Sequence, residues 1–164
     1  MRSKPVSKEK ALERLACLCS RSEQCEFDLK RKLMNWGISA ADSISILDYL
    51  KNNRYLDNTR YAKSFANDKA RFSSWGPFKI KAELIKRKIE SPIINEALKA
   101  IDPQIWKDAI LRCSESKSKN LHLAGENGYE DRQKLFRYLI SRGFSSASSS
   151  KVVSIMKRRQ EEEE

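Results

Sequence analysis

Apolar residues recur along this chain at intervals of three and four, and the stripes they form break at glycine, proline and asparagine. From Lys8 to about Ser20, Leu12, Leu15, Ala16 and Cys19 line one helical face. A second stripe of Cys25 or Phe27, Leu29, Leu33 and Trp36 ends at Gly37, where a left-handed cap is wanted, and Ile38 folds back behind it. A third helix starts at Ser39 or Asp42 and carries Ile44, Leu47, Tyr49 and Leu50 to the turn Asn52-Asn53. Then the pattern returns. Asp57 opens a helix with Tyr61, Phe65 and Phe72 at helical spacing. Trp75-Gly76 breaks it, and Pro77 suits the first turn of the next helix, which carries Ile80, Leu84 and Ile89. Pro92 to Ala100 completes the set. The pattern returns once more from Pro103. Gln104 to Lys117 turns Ile105, Trp106, Ala109, Ile110 and Cys113 inward. Lys119 to Gly128 is a connector, Arg132 to Arg142 a helix, and the last helix begins near Ser146. No alternating run bounded by tight-turn dipeptides competes as a strand.

The second helix of each set superposes without gaps. Leu29, Leu33, Gly37 and Ile38 match Ile80, Leu84, Lys88 and Ile89, and then Leu135, Leu139, Gly143 and Phe144. The helix starts align at Cys25, Gly76 and Asp131, with Ser22 as an earlier cap for the first. A repeat of about 50 residues predicts an all-α chain of three tandem three-helix repeats in an elongated array. The expected divisions are a flexible basic tail over 1–10, repeats over 11–53, 54–102 and 103–160, and an acidic tail over 161–164. Lys88 stands where the other two repeats have glycine, and a left-handed lysine there costs up to ~1 kcal/mol.

Charge sharpens this picture. The 164 residues carry a formal charge of +11 and a pI near 9.6, which calls for a polyanionic partner or an acidic protein surface. The start, MRSKPVSKEK, lacks the apolar segment of a secretory signal, and no run is long enough to cross a membrane. A cytoplasmic protein with reduced cysteines is expected. Cys17, Cys19 and Cys113 read as small buried apolar residues. With no Cys-x-x-Cys pair and His122 as the single histidine, neither a metal nor a cofactor is expected. No Walker loop, nucleophile elbow or zinc-protease motif is present, so no enzymatic activity is expected. Asp57 reads as a helix cap rather than a metal ligand. Trp36, Trp75 and Trp106 read as packing at module joints.

The candidate interaction residues are basic. Lys79 with Lys86, and Lys81 with Lys88, share flanks of one helix, and Arg87 lies between them. Lys30 and Arg31 occupy the corresponding helix of the first repeat, and Arg132 and Arg137 that of the third. Regular stacking would join them into one basic strip, whose binding to nucleic acid weakens with salt. The acids at the end of MKRRQEEEE oppose the helix dipole, so that end is expected to fray and to compete weakly for the basic face.

These residues resemble a known family. Tyr55-Leu56-Asp57-Asn58, Arg60-Tyr61-Ala62 and Gly76-Pro77 with Ile80, Glu83 and Leu84 are similar to the signature of the RecX family of recombinase regulators. Asp28-Leu29-Lys30-Arg31-Lys32-Leu33 resembles its Glu-Leu-x-x-Lys-Leu motif, and Arg142-Gly143-Phe144 its closing Arg-Gly-Phe. The resemblance covers about residues 10 to 157. Departures fall at Asn58, Cys25 and Lys88, where the family has an acid, a serine and a glycine. The resemblance implies a curved array of three modules; a monomer is expected. It implies binding to RecA along its filament on single-stranded DNA, limiting filament growth, ATP hydrolysis, strand exchange and repressor co-cleavage in DNA repair and the SOS response. The residues by themselves leave two alternatives open. One is a helix-turn-helix-like protein acting on duplex DNA without a recombinase; the other is an interaction scaffold whose charge is incidental.

Overall fold

The computed structural model describes residues 6–163, and the expected tail at residues 1–5 and Glu164 lie outside them. Among the described residues there are nine α-helices and no strand. Helix boundaries fall where capping chemistry puts them. Ser7 opens α1 (Lys8–Arg21), so residues 8–10, expected in the tail, are the first turn of a helix. Cys25 precedes α2 (Glu26–Asn35) without a side-chain cap, and Ser22 ends α1 rather than starting α2. The Ser39 hydroxyl accepts the Asp42 amide at the start of α3 (Ala40–Asn52). Asp57 caps α4 (Asn58–Phe72) by accepting the amides of Thr59 and Arg60. Pro77 opens α5 (Pro77–Lys86), and α6 is Ser91–Lys99. Asp102 caps α7 (Pro103–Ser118), and Gly128, not Asp131, precedes α8 (Tyr129–Ser141). The last helix, α9 (Ser146–Glu163), runs through the acidic end that was expected to fray.

Three cores form, one per repeat. Leu15, Leu29, Leu33, Ile46 and Leu50 fill the first; Ile80, Leu84 and Ile94 the second; Leu123, Leu135 and Leu139 the third. The chain exposes 10578 Å², against about 8,400 Å² for a compact protein of its mass. Three small cores in a row, rather than one large one, account for the excess.

Two stripes differ from expectation. In α4 the buried face is Ala62, Ala66 and Ala70, while Tyr61 and Phe65 are half-buried and Phe72 is 82% exposed. Alanines four apart let α4 and α6, its main partner, approach closely. In α3 the inward residues are Ser43, Ile46, Leu47 and Leu50, so Ile44 and Tyr49 point outward. Cys113 is buried as expected, Cys19 is half-buried and Cys17 is exposed.

The cores are not closed units. Cys25 lies in the core of the second repeat, and Phe27, Ile105 and Trp106 pack on it. The middle repeat therefore borrows residues from both neighbours.

Candidate functional site

The second helices of the three repeats meet end to end. At the junction of the second and third repeats, the Gly76 amide donates to the Arg142 carbonyl at 2.7 Å. The Phe78 amide donates to the Gly143 carbonyl at 3.0 Å. The orphan amides at the start of α5 are thus satisfied by the orphan carbonyls at the end of α8. This alignment also sets the negative end of one helix dipole against the positive end of the next. At the junction of the first and second repeats, Arg87 at the end of α5 reaches Asp28 in the first turn of α2, 3.5 Å away. The order along the molecule is α8, α5, α2.

Arg87 and Arg142 occupy the same repeat position, and both reach back into the preceding repeat. Arg142 donates to the Ser73 carbonyl. Arg87 also donates to Glu83, with Nη1 to Oε2 at 3.1 Å, and its guanidinium lies 5.1 Å from the Phe65 ring centroid. The first repeat carries Trp36 at this position, with Arg14 over its ring at 5.5 Å.

The two junctions are built differently. Gly76 and Gly143 bring main chains into contact. The equivalents at the other junction are Cys25 and Lys88, so the two departures from the glycine pattern occur together. There, side chains do the joining. Cys25 is fully buried and its thiol donates to Asp28, while the Glu26 amide donates to Asn58 Oδ1 at 3.1 Å. Burial pushes the Cys25 thiol up to about 11 and the Tyr61 phenol beside it up to about 12. Lys88 adopts the expected left-handed conformation, φ 58°, as do Gly37 and Gly143.

The nine candidate cations separate into two groups. Some are engaged within the fold. Arg87 joins repeats, and Arg132 donates to the carbonyls of Leu123 and Gly125, which anchors the connector. Lys79 lies 4.7 Å from the Trp75 ring centroid, where Lys69 also sits at 4.8 Å. Lys86 pairs with Glu83 at 2.7 Å and Arg31 with Asp28 at 3.5 Å, although both cations are well exposed. The other four, Lys30, Lys81, Lys88 and Arg137, are exposed, and no carboxylate of the described residues pairs with them. Sequence reading nominated these nine by charge and spacing and could not separate the groups. It did not foresee the joining role of Arg142, and it missed Arg112, whose guanidinium holds the Ala70 and Arg71 carbonyls and the Ser74 hydroxyl.

The acidic end is also engaged. Gln160 accepts the Leu123 amide at 2.6 Å and donates to the Leu121 carbonyl, and Glu161 accepts the Gly125 amide. These bonds hold the last turns of α9 against the connector despite the unfavourable dipole. Among the described residues no cluster of three potential metal ligands forms, and no helix is long and apolar enough to cross a membrane.

Comparison with known proteins gives consistent results. Residues 57–98 match the model of the second three-helix domain of RecX, and residues 117–153 that of the third. The regulatory protein RecX of Vibrio campbellii is 30% identical over 139 residues, spanning 85% of this chain and 84% of that protein. The RecX of Clostridium beijerinckii is 32% identical over 124 residues, and that of Clostridium botulinum (strain Eklund 17B / Type B) 28%. Each clostridial match spans 76% of this chain, but the chain spans little more than half of those relatives, 56% and 58%. A crystal structure of regulatory protein RecX superposes with a TM-score of 0.77 at 22% identity, covering 90% of this chain and 72% of that one. RecX from Lactobacillus salivarius superposes at 0.73 and 18% identity, covering 90% and 97%. These two likenesses concern the fold alone.

Proposed function

This chain belongs to the RecX family of regulatory proteins, and from that membership we propose that it regulates a RecA recombinase by binding along the filament that RecA forms on single-stranded DNA. Binding limits filament growth, ATP hydrolysis, strand exchange and co-protease activity, and so moderates DNA repair and the SOS response in the cytoplasm. The protein acts as a monomer, by surface complementarity rather than by catalysis.

The observation that carries this reading is the end-to-end series α8, α5, α2 with unpaired cations on each member. Lys30, Lys81, Lys88 and Arg137 supply positive charge at intervals along an extended molecule, suited to a long acidic groove. Several weak contacts on linked modules sum to useful affinity.

The test is the ATPase rate of the cognate RecA on single-stranded DNA, with this protein titrated in. Strong inhibition well below one molecule per RecA protomer supports the reading. Inhibition only at levels that coat the DNA indicates plain polyanion binding. No inhibition, with a sequence-selective footprint on duplex DNA, indicates a DNA-binding protein working without a recombinase. Charge reversal at Lys30, Lys81, Lys88 and Arg137 together is expected to abolish inhibition. Reversal at Arg87 or Arg132 is a poor test, because both hold the fold together.

A further inference from the structure

The register of the three second helices is fixed by Leu29, Ile80 and Leu135 and by Leu33, Leu84 and Leu139, all completely buried. The residues immediately after the second set are Met34, Ile85 and Ile140. They are 67%, 49% and 39% exposed. None belongs to a core. The position is therefore apolar and outward-facing in every repeat. The next position along, Asn35, Lys86 and Ser141, is polar in every repeat.

Each exposed aliphatic residue has an exposed cation one turn earlier on the same face. Met34 has Lys30 and Arg31, Ile85 has Lys81, and Ile140 has Arg137. The pairing recurs three times, an aliphatic side chain with a positive charge beside it, four residues earlier for Met34 and Ile85 and three earlier for Ile140. Helix packing within the protein does not use it, and capping does not require it.

The chemistry of the pair selects its occupant. Single-stranded nucleic acid is held by cations on phosphates and by aromatic rings on bases. Aliphatic side chains do neither, and gain only by entering an apolar recess. The recess must carry negative charge at its edge to match the cation, and it must recur to meet three equivalent anchors. We infer that Met34, Ile85 and Ile140 are protein anchors, each entering an apolar recess rimmed by carboxylates on successive subunits of a repeating protein assembly. Resting on the function proposed above, this assembly is the recombinase filament, and the second-helix face meets its protein rather than its DNA.

The test compares two ligands: the preformed recombinase filament on single-stranded DNA, and the same DNA bare. The variant is Met34→Gln with Ile85→Gln and Ile140→Gln. Glutamine keeps helix propensity at exposed sites, and unchanged helicity and melting temperature verify the fold. Asn35→Gln with Ser141→Gln is the control, one position along. The triple variant is expected to lose filament affinity by about 100-fold or more, and each single variant by about three- to tenfold. Affinity for bare DNA is expected to stay within about twofold of the unaltered chain, since no phosphate contact is removed. An unaltered chain that binds the filament while the triple variant binds equally well overturns this inference alone. Equal losses on filament and bare DNA also overturn it, and assign the face to nucleic acid. An unaltered chain that fails to bind the filament overturns this inference together with the function it rests on.

Discussion

A Cβ added to Gly76 would overlap the main-chain carbonyl of Gly143, and one added to Gly143 would overlap the main chain of Lys79. Each glycine leaves room for main chain of the other repeat, although the two lie far apart in sequence. Gly76→Ala is expected to cost about 2 kcal/mol or more, and Gly143→Ala at least as much because φ there is +94°. Thermal melts of the two variants check this, with Gly125→Ala as a comparison: it shares a positive φ but has open space around it.

At the other junction, Arg87→Ala is expected to cost about 1–3 kcal/mol by leaving Glu83 and Asp28 without their shared cation. A double-mutant cycle between Arg87→Ala and Asp28→Asn, followed by urea unfolding, measures the link between repeats apart from the link within α5.

Glu83 gives this region a pH signature. Lys86 first, and Arg87 second, hold its carboxyl below the ordinary 4.5. A depressed carboxyl stabilises the fold fully above its unfolded value, and the stabilisation is lost as pH falls through the lowered folded value. Stability is therefore expected to decline on acidification below about pH 4.5, and Glu83→Gln to flatten that part of the profile. Melting temperatures across the acid range decide it.

Lys88 pays a conformational cost that glycine would not. Lys88→Gly is expected to stabilise the protein by up to ~1 kcal/mol, because the φ of 58° suits glycine. The same substitution removes an unpaired cation. If Lys88 faces phosphate, the salt dependence of DNA binding drops by about one phosphate contact. Opposite signs for stability and binding would separate the two roles.

The cysteines differ in reactivity. Cys17 is exposed, whereas Cys25 is buried with its thiol held up to about 11, and Cys113 is buried with its thiol directed at the Ser74 carbonyl. The thiolate is the reactive form. Iodoacetamide at neutral pH is expected to label Cys17 in the native protein, and Cys25 and Cys113 only in denaturant. Mass spectrometry before and after unfolding reads this directly.

Much of the fold was legible because it is local. Ser39, Asp57 and Pro77 announced helix starts by chemistry acting within one turn, Gly37 and Gly143 announced helix ends the same way, and Lys88 was placed only by the repeat. What stayed hidden depends on partners far away in sequence. Arg87, Arg132 and Lys81 look alike in a sequence, yet Arg87 and Arg132 hold the fold while Lys81 meets only solvent. The alanine stripe of α4 was hidden because large aromatic side chains beside it carry a stronger apolar signal. Asp131 was misread as a cap for a related reason. It accepts the His122 amide across the connector at 2.9 Å, which no periodicity reveals.

The central core takes Cys25 and Phe27 from one side and Ile105 and Trp106 from the other. Flexing the molecule at either end therefore pulls side chains out of the middle, and a close-packed interior resists that. A template rather than a string of beads is the expected behaviour. The spacing at which it presents its repeats is set by its own interior, so an assembly whose subunit rise departs from that spacing can engage one repeat well but not all three.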